Sequence, residues 1–163
     1  MDTPPQHDRR DQRVGGILAQ AVDALRNALG ERLIAVVLFG SRARGDAHEG
    51  SDWDLLVIAE GLPQAPFQRY LYLKQLLPPG TRGEVSIIAR TRQEFEARLP
   101  SLYLDIATDG RILYDPWAYA SQRLMMLRQL IQKAGLYRER TEAGDIWQWQ
   151  TPPTRPWTLK WSS

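Results

Sequence analysis

The sequence contains no cysteine. That excludes disulfides and thiolate metal sites, and it fits a reducing compartment without proving one. No apolar run reaches the length of a membrane span. Residues 1–13 are polar and include Asp2, Asp8 and Asp11, so they lack the apolar centre of a signal peptide. A soluble, cytoplasmic protein is expected. Neither sign of charge dominates: 21 basic and 19 acidic residues leave a net charge of +2. The pI of about 9.1 is therefore a weak sign of an anionic partner, not the mark of a strongly basic nucleic-acid binder. Histidine is scarce. His7 falls in the polar N-terminal stretch and His48 in a loop, and neither reads as a ligand. No internal repeat is visible.

What is present is an ordinary apolar content, 43% of 163 residues, enough for one core and one domain. Residues 1–12 show no periodicity and are read as a disordered N-terminus. Residues 13–135 are read as the domain with its C-terminal helix, and 136–163 as a hairpin with a Pro/Trp-rich tail. From Val14, apolar residues through Leu25 and Leu29 recur at helical spacing, and Gly30 stops the pattern. Stretches 33–39 and 55–58 are apolar on both faces, as strands covered on both sides are. A helix is predicted over 64–77, with Phe67, Tyr70, Leu71, Leu73, Leu76 and Leu77 as one broad face. A third strand follows over 84–89. Thr91 and Glu94 form a capping-box sequence that opens the next helix, which Pro100 ends. Helical turns over 102–108 and a short strand over 110–114 come next. Asp115-Pro116 reads as the entry of a helix that runs to Gly135. Stretches 136–140 and 146–149 read as a hairpin, and 151–156 as extended coil. This order predicts an α/β (α+β) fold with a small sheet flanked by helices.

The chemistry is concentrated between residues 33 and 58. An apolar strand runs into Gly40-Ser41, where a strand-to-helix turn presents backbone N–H groups suited to anions. Asp52 and Asp54 alternate at the start of the next strand, so both side chains point to one face. Two carboxylates so placed suit a hard divalent cation, and two such ions can clamp the oxygens of a phosphoryl displacement. Gly40 would allow close approach of phosphates and Ser41 would add a hydroxyl. Arg42 and Arg44 are candidates to pair with phosphate oxygens. The alternative is that one of them holds the loop through Asp46 or Glu49. Trp53, between the two acids, reads as core.

Asp-x-Asp alone is common, and so is Gly-Ser after a strand. The joint pattern is specific: Gly40-Ser41, ten further residues, then Asp52-x-Asp54 opening an apolar strand. Through Gly40, Ser41, Arg42, Ala43, Arg44, Gly45, Ala47, Ser51, Asp52, Asp54 and Leu55, the stretch resembles the polymerase-beta-type nucleotidyltransferase superfamily. The resemblance is closest to its minimal nucleotidyltransferase subgroup. It is specific over 33–58 and looser to about residue 114. It implies a small mixed sheet flanked by helices and Mg²⁺-dependent transfer (Mn²⁺ as the alternative metal) of a nucleoside monophosphate, AMP first, from a nucleoside triphosphate, ATP first, to an acceptor hydroxyl. It also implies a third carboxylate on a later strand, acting as general base and metal ligand. Glu84 is assigned that role, with Ser86 as the alternative equivalent position. If Ser86 is the equivalent, the base is missing and the chain is a nucleotide-binding module that acts on a partner by contact. Many small members of the subgroup are antitoxins that modify a HEPN-type toxin, and antibiotic adenylylation is another activity of the family.

Four further tryptophans, Trp147, Trp149, Trp157 and Trp161, fall in the C-terminal segment. Folding back onto the core or mediating a homo-oligomer is weighed above base stacking, because basic residues there are few.

Overall fold

The computed structural model describes residues 6–155 and 158–161, with side chains from residue 16 onward. Four strands form the main sheet: β1 (Leu33–Phe39), β2 (Trp53–Ala59), β3 (Val85–Arg90) and β4 (Arg111–Tyr114), in the order β3-β2-β1-β4. β1 is antiparallel to β2 and β4, whereas β2 and β3 are parallel, so the sheet is mixed. The fold is the expected α/β sandwich of a small mixed sheet between helices.

Every residue of β1 is buried, because helices cover both of its faces. On one side α1 (Gln6–Leu29) and α3 (Pro66–Leu76) bring Ala21, Leu25, Leu29 and Leu73 onto Leu33, Val36, Leu38, Leu55 and Val57. On the other, α4 (Arg92–Ala97), α5 (Ser101–Asp109) and α6 (Tyr119–Ala134) bring Phe95, Leu104, Ile106, Leu124 and Leu127 onto Val37, Phe39, Leu56 and Ile58. Truncating one such leucine to alanine costs about 2–5 kcal/mol. The short helix α2 (Ser41–Arg44) follows β1, and the strands β5 (Leu136–Thr141) and β6 (Gly144–Trp149) form a separate antiparallel hairpin.

Several expectations shift. The helical backbone of α1 begins at Gln6, inside the stretch 1–12 read as disordered; residues 1–5 lie outside the described residues. Gln and Arg are good helix formers, and apolar periodicity marks only the part of a helix that packs. α6 starts at Tyr119, not at Asp115-Pro116. Asp115 still caps it from upstream, accepting from the N–H groups of Ala120 (3.1 Å) and Ser121 (2.8 Å). Ala118 makes the intervening bend at φ 54°. On α3, Phe67, Tyr70 and Leu71 of the expected apolar face are exposed, while Arg69 is buried. Arg69 can be buried because Glu94 takes its fork at 2.7 and 2.9 Å and the carbonyl of Pro63 accepts from it at 2.7 Å.

The C-terminal segment folds back. The Trp161 indole N–H donates to the carbonyls of Phe95 (3.1 Å) and Arg98 (3.2 Å), and its ring lies 5.2 Å from that of Phe95. The Trp147 indole donates to Asp105 at 3.0 Å. Trp157 lies outside the described residues. No helix among the described residues is long and apolar enough to cross a membrane.

Candidate active site

β1 and β2 pair so that Phe39 stands opposite Asp54. The Gly40-Ser41 turn therefore emerges beside the carboxylate end of β2. Gly40 has φ 73°, and a Cβ built there would lie 2.2 Å from Asp54 Oδ2. The backbone of the turn and the Asp54 carboxylate are thus in contact, and a side chain at residue 40 would displace one of them. The carbonyl of Gly40 accepts from the N–H groups of Ala43 and Arg44, both at 3.1 Å. The N–H groups of Ser41 and Arg42 precede those bonds, so the helix offers them no acceptor.

Asp52 is exposed and Asp54 half-buried. Burial, and then the neighbouring Asp52 charge, hold the Asp54 carboxyl above the usual carboxylate range, while Arg44 works the other way. Two carboxylates that repel each other at the end of a strand suit a hard divalent cation, which takes oxygen donors and relieves the repulsion. Among the described residues, no group of three or more His, Asp and Glu side chains converges to hold a metal ion. Glu84 therefore does not complete a three-carboxylate group with the aspartate pair.

The register explains why. β2 and β3 run parallel with Asp54 beside Ser86 and Trp53 beside Val85. The Trp53 N–H donates to the carbonyl of Glu84 at 2.8 Å. Asp54 and Ser86 pair within the strands, whereas Asp52 and Glu84 sit one residue before β2 and β3, in the segments that lead into them. Ser86 is the residue next to Asp54; Glu84 lies two residues upstream of Ser86, just before β3, and is exposed to solvent.

The two arginines part company. Arg42 donates to the carbonyl of Ser51 at 3.0 and 3.3 Å and lies 4.5 Å over the Trp53 ring. It braces the residues that lead into Asp52. Trp53 itself is buried, as expected. Arg44 binds Asp46 at 3.2 Å and is the cation felt by Asp54. His48 accepts from the Gly50 N–H and stays in an exposed loop.

Lys74 of α3 was not singled out by the sequence. It donates to the carbonyls of Arg82 (2.7 Å) and Val85. Burial lowers its pKa, and the Asp52 charge opposes that shift, so its ammonium adjoins the site. A lone lysine in an amphipathic helix carries no signal of this placement. A cavity of about 1210 Å³ lies elsewhere, between α3, β3, α4 and the tail, and none of the residues expected at the site lines it.

Known proteins are similar to this chain in sequence and in fold. A family model described as a nucleotidyltransferase domain matches residues 19–114. Two proteins of Methanocaldococcus jannaschii, both named as candidate protein adenylyltransferases, are similar in sequence. One is 39% identical over 67 residues, covering 41% of this chain and 46% of the relative. The other is 30% identical over 98 residues, covering 60% of this chain and 94% of the relative. The chain thus spans about half the length of the first relative. Among solved structures, a toxin–antitoxin complex with AMP-PNP superposes with a TM-score of 0.53 at 20% identity, over 71% of this chain and 87% of that one. A variant of the MntA–HpeT toxin–antitoxin pair superposes equally well, at 18% identity and the same coverage. At these identities the likeness is one of fold.

Proposed function

Because the chain belongs to the nucleotidyltransferase domain family and is a nucleotidyltransferase, we propose that it moves AMP from ATP, with Mg²⁺, to a hydroxyl of a protein acceptor. The acceptor is a HEPN-type toxin, for which this protein is the antitoxin. The observation that carries the reading is the contact between Gly40 and the Asp54 carboxylate, which joins the phosphate turn to the acidic pair. Support for AMP comes from the adenylyltransferase names of the relatives. Support for a toxin partner comes from the toxin–antitoxin complexes that share the fold.

In this reading Ser41 and the N–H groups of the turn hold the outgoing phosphates, and Arg44 adds positive charge at their side. Asp52 and Asp54 would hold Mg²⁺, which when bound would offset the triphosphate charge and make its α-phosphorus more open to attack. Arg42 keeps Asp52 in place by fixing the Ser51 carbonyl. The acceptor oxygen forms a bond to the α-phosphorus as the bond from that phosphorus to the β-bridging oxygen breaks. Pyrophosphate leaves, and the hydroxyl proton passes to Glu84. Positioning and charge stabilisation supply most of the acceleration.

Ser86 beside Asp54 favours a second reading: a nucleotide-binding module without a base that acts on its partner by contact. Intact-mass spectrometry of a HEPN-type toxin co-expressed with this chain separates the two. Addition of one or more AMP groups, abolished by Asp52→Ala and by Asp54→Ala, is the expected result. An unmodified partner that still copurifies would refute the enzyme reading. Glu84→Ala, compared with Ser86→Ala in the same assay, tests Glu84 as the base: loss of transfer in the first alone is the expected result.

A further inference from the structure

The hairpin β5–β6 is joined to the loop after α2 by a chain of alternating charges. Arg44 Nε meets Asp46 Oδ2 at 3.2 Å, and the same oxygen takes Arg140 Nη2 at 3.1 Å. Arg140 Nε meets Asp145 at 3.2 Å, and Asp145 lies 3.7 Å from Arg138 Nε. Arg138 ends the chain on α5, where Asp109 takes its fork at 2.5 and 3.0 Å and Asp105 lies at 3.3 Å. In the hairpin register Arg138 stands opposite Trp147 and Arg140 opposite Asp145, so all four side chains share one face. That face is anchored to α5 twice, through Arg138 and through the Trp147 indole bond to Asp105. The Asp46–Arg140 link spans 94 residues of sequence.

We propose that Asp46 and Arg140 are positioning residues through which the hairpin holds Arg44 at the active site. The inference rests on the reading that Arg44 meets the triphosphate. Left with Asp46 alone, Arg44 would be drawn into a neutral pair in an exposed loop. Sharing Asp46 with Arg140 divides that anion between two cations, so Arg44 keeps positive charge toward Asp54 and the phosphates. It also ties the loop to the α5-anchored hairpin. The Arg140 and Asp46 side chains are 69% and 38% exposed; a pair so exposed contributes little to stability. The effect falls on the position of Arg44.

The test is hydrogen exchange together with ligand titration on the full chain. In Arg140→Ala, amide exchange over residues 41–50 is expected to rise several-fold, while β1 and β2 keep their protection. The affinity for ATP with Mg²⁺ falls about three- to tenfold, the lower part of the range of coupling between contacting residues, while the affinity for adenosine stays the same. Arg140→Lys restores most of both. The Arg140→Ala, Asp46→Asn double variant binds ATP no worse than the weaker single one. Unchanged exchange over 41–50 in Arg140→Ala overturns the proposal whether or not ATP binds. Equal weakening of ATP and adenosine overturns it too, because a clamp on Arg44 acts on phosphate alone. Should the wild type bind no ATP while Arg140→Ala still loosens 41–50, the clamp stands and the proposed function falls.

Discussion

At the scale of single residues, Gly40 does two things that no other residue can. It adopts φ 73° without a Cβ penalty, and it leaves the space that Asp54 Oδ2 occupies. Gly40→Ala is expected to lower stability by about 1–3 kcal/mol, the range for strained backbone. Moving Asp54 by even an ångström would cost transfer about 10²-fold. Thermal denaturation and the AMP-transfer rate check the two effects; an alanine variant of undiminished activity would show that the contact is incidental. Gly40, Ser41, Asp52 and Asp54 were legible in the sequence because their mutual spacing is rarer than any one of them. The contact of Gly40 with Asp54, the Arg42 brace on Ser51 and the approach of Lys74 to Asp52 were not. Each arises from the strand register or a helix rotation, which one-dimensional spacing does not encode.

At the scale of elements, register decides how the third acid is read. The strand expected over 84–89 begins at Val85, which leaves Glu84 just outside it, and only the pairing with β2 shows that Ser86 adjoins Asp54. The helix signals were uneven. The Thr91–Glu94 capping box is formed in both directions, at 3.2 and 3.0 Å. Asp115 was a correct cap attached to the wrong first residue, since Ala118 turns the chain in between. The broad apolar face expected on α3 hid Arg69, whose burial depends on a partner on α4 that the α3 sequence does not contain. That pair makes a pH prediction. Arg69, first, and then the Thr91 N–H hold the Glu94 carboxyl down to about 2, against an ordinary 4.5. A depressed acid contributes stability that is complete above about 4.5 and is lost as pH falls toward 2. Glu94→Gln should therefore unfold more readily at pH 7 and show a flatter loss of stability between these pH values. Identical slopes for the two proteins in acid denaturation would contradict the pairing.

At the scale of the whole molecule, the segment beyond α6 is part of the structure. The hairpin reaches α5 and the loop after α2, and Trp161 closes over Phe95, with Arg123 5.5 Å from its ring. The hairpin was visible as two short alternating runs around a turn. Its docking was not, because the ion pairs that fix it join residues far apart in sequence. Of the three fates considered for the tryptophans, folding back is the one seen for Trp147 and Trp161. Trp161→Ala removes a half-buried indole and its donated hydrogen bonds, a loss of about 2 kcal/mol. In a chain of this size that lowers Tm by roughly 4–8 °C. An unchanged Tm would mean that the tail adds nothing to the fold.

In the proposed function Asp52, Asp54 and the Gly40-Ser41 turn together hold a metal-bound triphosphate. Titrating Mn²⁺ into the protein in the presence of ATP, and following the free ion by electron paramagnetic resonance, tests it most directly. The wild type should take up Mn²⁺ with nucleotide, and Asp54→Asn and Gly40→Ala should each lose that uptake while remaining folded. Equal uptake by the wild type and Asp54→Asn would contradict the account.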